Sequence, residues 1–272
     1  MGLFMHLEFD APFFSGERAE TVLCEAEKHG ASTLLASGSF LADEVHLSDF
    51  LSRISGKRLA VFLQIPMNAI NRVIGFQSSI LCNPLIKGII LEGDGLSPSE
   101  YSGIIQSISV IQNAGKTAAI RLYFLPRPSI AELRSWLEIL AQTKISDLIV
   151  ESEVDFLERD ERLKDDYFEL LMNHKSFLDR IKFQCTFLEE FRPRNCLYLS
   201  SQSPCVMLKD ETYVLCPYQL EADGGRSAIG SGIKSALEEI KKVQRDRYIK
   251  YAKQNRPFTC GDCIREKRHD GK

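Results

Sequence analysis

The sequence has no apolar run approaching the length that spans a bilayer. Its first ten residues, Met-Gly-Leu-Phe-Met-His-Leu-Glu-Phe-Asp, carry no basic segment and meet an acidic side chain at Glu8. Neither a membrane span nor an export signal is expected, and the chain reads as cytoplasmic. Neither sign of charge is in large excess: the net charge is -3 and the pI about 6.0, which argues against a general binder of nucleic acid or of anionic membranes. The five histidines show no H-x-x-x-H spacing, and no serine stands in a G-x-S-x-G elbow, so hydrolase chemistry has no support. Gly224, Gly225, Gly230 and Gly232 fit neither the P-loop nor the dinucleotide pattern. They read as a plain turn with Ser231 as the cap of the following helix, and Gly93-Asp94-Gly95 is no stronger as a phosphate loop.

What is present is regular. With 272 residues and 44% hydrophobic content, the chain is long enough to bury a full core. Residues 3–9 alternate as a strand. Residues 16–29 place Ala19, Val22, Leu23 and Ala26 on one helical stripe that stops at Gly30. The unit then repeats, with strands over 32–37, 58–65, 87–92, 116–124 and 147–153. The helices between them fall near 47–54, 69–78, 100–114, 130–140 and 160–178. Two of these helices open with capping boxes, Ser97-Pro-Ser-Glu100 and Ser129-Ile-Ala-Glu132. Six βα units with no hairpin signal between them predict an α/β fold of parallel strands with helical crossovers, a (βα)6 partial TIM-like barrel over residues 1–180. A doubly wound sheet is the competing topology. Residues 181–200 read as a connector to a smaller Cys-rich module, 181–272, whose helix runs from Ser231 to about Ala252.

Strand parity collects polar side chains on one face: His6, Glu8, Asp10, Gln64, Glu92, Asp94, Arg121, Tyr123, Glu151 and Glu153. Central strands covered on both faces are almost wholly apolar, so one face here is wet, and its carboxylates gather toward the strand C-terminal ends where α/β folds hold ligands. The face is either a solvated, ion-paired lumen or a polar-ligand pocket. Glu92, Arg121 and Glu151 are its candidate ligand contacts. An enzyme using these carboxylates for acid–base or metal-assisted chemistry is one functional class this allows.

Eight cysteines in a chain with no export signal point to thiols or metal ligands rather than disulfides. Cys24 and Cys82 stand among apolar neighbours and are expected to be buried. Cys185 and Cys196 lie near the main cluster, as reserve ligands or as bland residues. That cluster is Cys205, Cys216, Cys260 and Cys263. Val206-Met207-Leu208 and Tyr213-Val214-Leu215 flank a polar turn, so a hairpin should bring Cys205 and Cys216 together, and Cys260-Gly-Asp-Cys263 supplies two more sulfurs. Four thiolates suit zinc and iron–sulfur clusters alike.

The segment 205–263 resembles the twitch or SPASM module at the C-terminus of many radical S-adenosylmethionine enzymes. The resemblance lies in the order of a first cysteine, a short hairpin, Cys216-Pro217, then Ala228-Ile-Gly-Ser-Gly-Ile-Lys-Ser-Ala-Leu-Glu-Glu-Ile240, and a terminal C-x-x-C. Glu211 stands where the family usually has glycine. The resemblance implies an auxiliary [4Fe-4S] cluster held by Cys205, Cys216, Cys260 and Cys263. The upstream units are similar to the family's partial barrel, including the Glu92-Gly-Asp-Gly95 turn after strand four. Two family motifs are missing. The loop after strand one reads Asp10-Ala-Pro-Phe-Phe-Ser-Gly16 in place of C-x-x-x-C-x-x-C, and Ala36-Ser-Gly-Ser-Phe40 replaces the glycine-rich turn that contacts the methionine part of the cofactor. Both absences argue against S-adenosylmethionine chemistry. The chain resembles the SPASM-domain companion proteins of radical maturases, as in GeoRSP-type systems. That implies an accessory iron–sulfur protein that relays electrons to a radical maturase partner or presents a peptide to it, with a structural zinc interaction module as the rival.

Overall fold

A computed structural model describes residues 3–8, 17–38, 41, 43–70, 80–94, 101–124, 129–152, 161–183, 205–207, 212–214, 228–230 and 232–252, with the backbone alone at 3, 4, 6, 8, 17, 18, 44, 68, 94, 101, 102, 124, 151, 152, 161, 163, 182, 183, 205–207, 228–230, 243, 244 and 247–252. The elements are β1 (Leu3–Glu8), α1 (Glu17–Lys28), β2 (Ala31–Ser37), α2 (Glu44–Ile54), β3 (Ala60–Pro66) and β4 (Ile86–Asp94). They continue with α3 (Tyr101–Asn113), β5 (Thr117–Phe124), α4 (Ile130–Gln142), β6 (Asp147–Ser152), α5 (Glu161–Asn173), a 3-10 turn (Lys175–Arg180) and β7 (Ile181–Phe183). Three short strands, β8 (Cys205–Met207), β9 (Tyr213–Val214) and β10 (Ala228–Gly230), precede α6 (Ile233–Ala252). Most of the helix expected over 69–78, the Ser97 capping box and the Ser231 cap lie outside the described residues.

The chain divides into two compact units: Met1–Ile65 with Ala69–Ile89 and Leu197–Arg256, and Pro66–Asn68 with Ile90–Cys196 and Pro257–Lys272. In the first unit the strand order is β10-β9-β8-β1-β2-β3 and then the beginning of β4. β1 pairs in parallel with β2, and β2 with β3, as the absence of hairpin signals predicts. One face of these strands is dry. Met5, Leu7, Ala36, Val61 and Leu63 are fully buried and Leu34 nearly so, while α1 packs on β2 with Ala19, Leu23 and Ala26 inward. α1 ends as expected at Gly30, whose φ of 85 is the left-handed conformation that closes helices, and whose N–H reaches the Glu27 carbonyl at 2.9 Å.

β8 extends this unit on the far side of β1, parallel to it, with Cys205 opposite Met5 and Met207 opposite Leu7. The expected hairpin is present: β8 and β9 are antiparallel, with Val206 opposite Val214 and Met207 opposite Tyr213. β10 continues the pairing, antiparallel to β9. It falls in a stretch expected to be a plain turn. The expected inward stripe of α6 is found where its side chains are described, with Ile233, Leu237 and Ile240 buried and Ala236 beside them.

In the second unit the end of β4 is followed by β5, β6 and β7. β5 and β6 are parallel, and so are β6 and β7, with Ile181 opposite Leu148 and Phe183 opposite Val150. The start of the expected connector is therefore a strand. Three residues are too few for alternation to show, and pairing with β6 rather than local pattern makes Ile181–Phe183 extended. The Ser129 capping box forms with both bonds: Glu132 N–H donates to Ser129 Oγ at 3.1 Å and Ser129 N–H donates to Glu132 Oε2 at 2.9 Å. Leu133, Trp136, Leu137, Ile139 and Leu140 form the buried side of the helix it starts.

Candidate functional site

Positions expected on the polar face share layers within each unit, and the side chains described there are buried or half-buried rather than open to solvent. In the first, the register carries Glu8 to Ser37 and Ser37 to Gln64, so these three positions form one layer at the C-terminal ends of β1, β2 and β3. Ser37 is 6% and Gln64 5% exposed, two of the buried polar residues of a core that is otherwise apolar. Burial of such groups is tolerated only with hydrogen bonding. Sequence reading included Glu8 and Gln64 but not Ser37, whose place between them follows from the register alone. His6 sits one layer below, opposite Leu35 and Val206.

In the second unit Glu92 is half-buried near the end of β4. Arg121 on β5 is 3% exposed. A guanidinium this deeply enclosed on a parallel strand is held by polar neighbours, since an uncompensated buried charge costs several kcal/mol (roughly 3–5). Tyr123 is opposite Glu151, and Arg121 is opposite Ile149, so Arg121, Tyr123 and Glu151 fall on one face of β5 and β6, two residues apart along the strands. Lys182 of β7 joins this face at the level of Ile149. The opposite parity, Ile120, Leu122, Leu148 and Val150, is fully buried. Gly93 follows Glu92 where the chain runs close to Met67: a Cβ at Gly93 would lie 3.0 Å from Met67 Sδ.

Of the four expected metal ligands, Cys205 is described as a backbone position on β8, next to Met5 in register. Cys216, Cys260 and Cys263 lie outside the described residues, as do Asp10, Glu153, Cys185 and Cys196. Among the described residues no group of three or more His, Cys, Asp or Glu side chains could hold a metal ion. In its chemistry, four thiols, the donor set fits the group the resemblance implies.

Cys24 and Cys82 were expected to be buried, and both are exposed. The reason is rotation about the helix: Cys24 follows Leu23, which faces the core, and one step along a helix turns about 100° away from it. Cys82 likewise follows the buried Ile80 and Leu81 where their helix ends. Exposure puts Cys24 in a cluster that sequence reading missed. Lys57 Nζ donates to Glu20 Oε1 at 2.8 Å and to Cys24 Sγ at 3.3 Å, and Cys24 Sγ donates to Glu20 Oε1 at 3.1 Å. The hydrogen bonds from Lys57 and from Cys24 hold the Glu20 carboxyl below its ordinary range. Burial pulls the Lys57 amine down, but its bonds to Glu20 and Cys24 outweigh that, and the net direction is up. The i, i+4 spacing of Glu20 and Cys24 was legible in the sequence, whereas Lys57, 33 residues beyond Cys24, was not.

No family model matches the sequence, and no curated protein does. Among solved structures, SuiB from Streptococcus suis bound to S-adenosylmethionine is 10% identical, with a TM-score of 0.54 over 84% of this chain and 61% of SuiB. SuiB bound to precursor peptide SuiA gives 10% identity and a TM-score of 0.53, over 84% of this chain and 63% of SuiB. The chain thus spans less than two thirds of the length of these structures. No helix among the described residues is long and apolar enough to cross a membrane. At this identity the likeness concerns the fold alone: the chain has an α/β architecture of parallel strands consistent with a partial TIM-like barrel.

Proposed function

We propose that the chain is an accessory iron–sulfur protein, a radical-enzyme scaffold that has lost its catalytic cluster and kept an auxiliary one. The observation that carries the reading is a fold shared with SuiB in a chain whose sequence after β1, residues 9–16, contains no cysteine. In the family that the chain resembles the catalytic cluster is held by three cysteines there, so in this reading the chain does not itself reduce S-adenosylmethionine. In this reading residues 1–180 are the barrel portion and 181–272 a twitch or SPASM-like module. Cys205, Cys216, Cys260 and Cys263 would hold a [4Fe-4S] cluster, which supplies one-electron transfer when bound.

The partner in this proposal is a radical maturase in the cytoplasm. This chain would pass electrons to it or present a peptide along the polar face formed by Glu92, Arg121 and Glu151. A neighbour in fold, SuiB, has been solved with a precursor peptide bound, which supports peptide presentation as a use of the scaffold. The test is iron and acid-labile sulfide in anaerobically purified protein, with the absorption band near 400 nm. The reading expects both, with loss of the band in Cys216→Ser and Cys263→Ser. A colourless protein holding one zinc and no sulfide would overturn the redox role in favour of a structural zinc module.

A further inference from the structure

We propose that Cys24 and Lys57 form an oxidation-triggered covalent clamp that ties α1 to the turn leading into β3. Three observations converge. Cys24 is exposed, so a small oxidant reaches its sulfur directly. Lys57 Nζ already lies 3.3 Å from that sulfur, pointing a proton at it, although the residues are 33 apart in sequence. Glu20 Oε1 lies 2.8 Å from the same amine and 3.1 Å from the same sulfur, so one carboxylate holds the two groups side by side. The lysine end is fixed, its side chain only 10% exposed, so the amine does not swing away from the sulfur. A lysine held this way beside an exposed thiol is placed so that its amine, on losing a proton, captures the first oxidation product.

The oxidant is hydrogen peroxide. Its O–O bond breaks as the sulfur attacks, one oxygen becoming the sulfenic acid of Cys24 and the other leaving as water, and the sulfur gives up two electrons. The Lys57 ammonium loses a proton to solvent, the freed lone pair attacks sulfur, and the S–O bond breaks. The hydroxyl takes a second proton from the attacking amine and departs as water. The product is an S–N bond between Cys24 and Lys57, two hydrogens lighter than the separate side chains, and a thiol reductant restores both. The link stops the thiol short of the irreversible sulfinic acid.

The experiment treats the full chain, purified anaerobically, with one equivalent of hydrogen peroxide, then digests it with trypsin and maps the peptides by mass. The expected result is a cross-linked pair containing Cys24 and Lys57, missing two hydrogens, with cleavage after Lys57 blocked and recovered on adding dithiothreitol. Lys57→Arg keeps the cation beside Glu20 but offers no amine, so the pair should vanish and Cys24 should advance to sulfinic acid. Cys24→Ser should leave cleavage after Lys57 unaffected by peroxide. Recovery of Cys24 in the wild type as a free thiol or as sulfinic acid, with Lys57 still cleaved, would overturn the proposal, as would equal protection of Cys24 in Lys57→Arg.

Discussion

Arg180 lies at the end of the 3-10 turn, where its guanidinium donates to the carbonyls of Thr143 at 2.7 Å and of Ile145 at 2.8 and 3.0 Å. Thr143 is the C-cap of α4, so the cation meets the negative end of that helix and satisfies carbonyls that the helix leaves open. Burial draws the guanidinium down and Asp147 opposes this, without threatening its charge. Replacing Arg180 with Met removes all three bonds while keeping an apolar stem. The expected loss is about 2 kcal/mol in chemical denaturation, the size found for hydrogen bonds to charged groups. An unchanged midpoint would show that water replaces the guanidinium without cost. Contacts of this kind were not legible in the sequence, because Arg180 and Thr143 are 37 residues apart and nothing local announces the pairing. Cys24 and Cys82 make the same point in reverse: their sequence neighbours are apolar, yet the helical turn carries them to the surface.

Elements were far more legible than contacts. The Ser129 box was readable because its donors and acceptors lie within three residues of one another. Ser129→Ala removes one half of the box and should cost about 1 kcal/mol by the same denaturation assay, with Ser129→Asp restoring most of it. The buried stripe of α2, Leu47, Phe50, Leu51 and Ile54, was readable from its period alone. β7 and β10 were not, since three residues carry no period and one of the six is a glycine. At the end of β4, Gly93 admits no side chain without moving Met67, whose Sδ would lie 3.0 Å from the new Cβ. Gly93→Ala should therefore displace the Met67 thioether by a few tenths of an ångström, at a cost of no more than about 1 kcal/mol because a methionine side chain adapts. Met67→Ala removes the obstruction at its own cost, so the two changes together should cost less than their sum. Strict additivity in that cycle would mean that the backbone yields instead of the thioether.

At the scale of the whole molecule, the α/β class and the parallel strands followed from six repeated units without hairpin signals, and the likeness to SuiB at a TM-score of 0.54 agrees with that class. The pairing of β8 alongside β1 did not follow, because a contact across some two hundred positions leaves no trace in local pattern. Its consequence is that the hairpin beginning at Cys205 grows from the sheet edge next to β1, the strand after which the expected catalytic cysteines are absent. The account of function rests on what the four C-terminal thiols hold. The most direct test is the iron and sulfide content of the anaerobically purified chain, read together with its spectrum. The account predicts about four irons and four sulfides per chain with a broad band near 400 nm. A single zinc with no sulfide, in colourless protein, would contradict it.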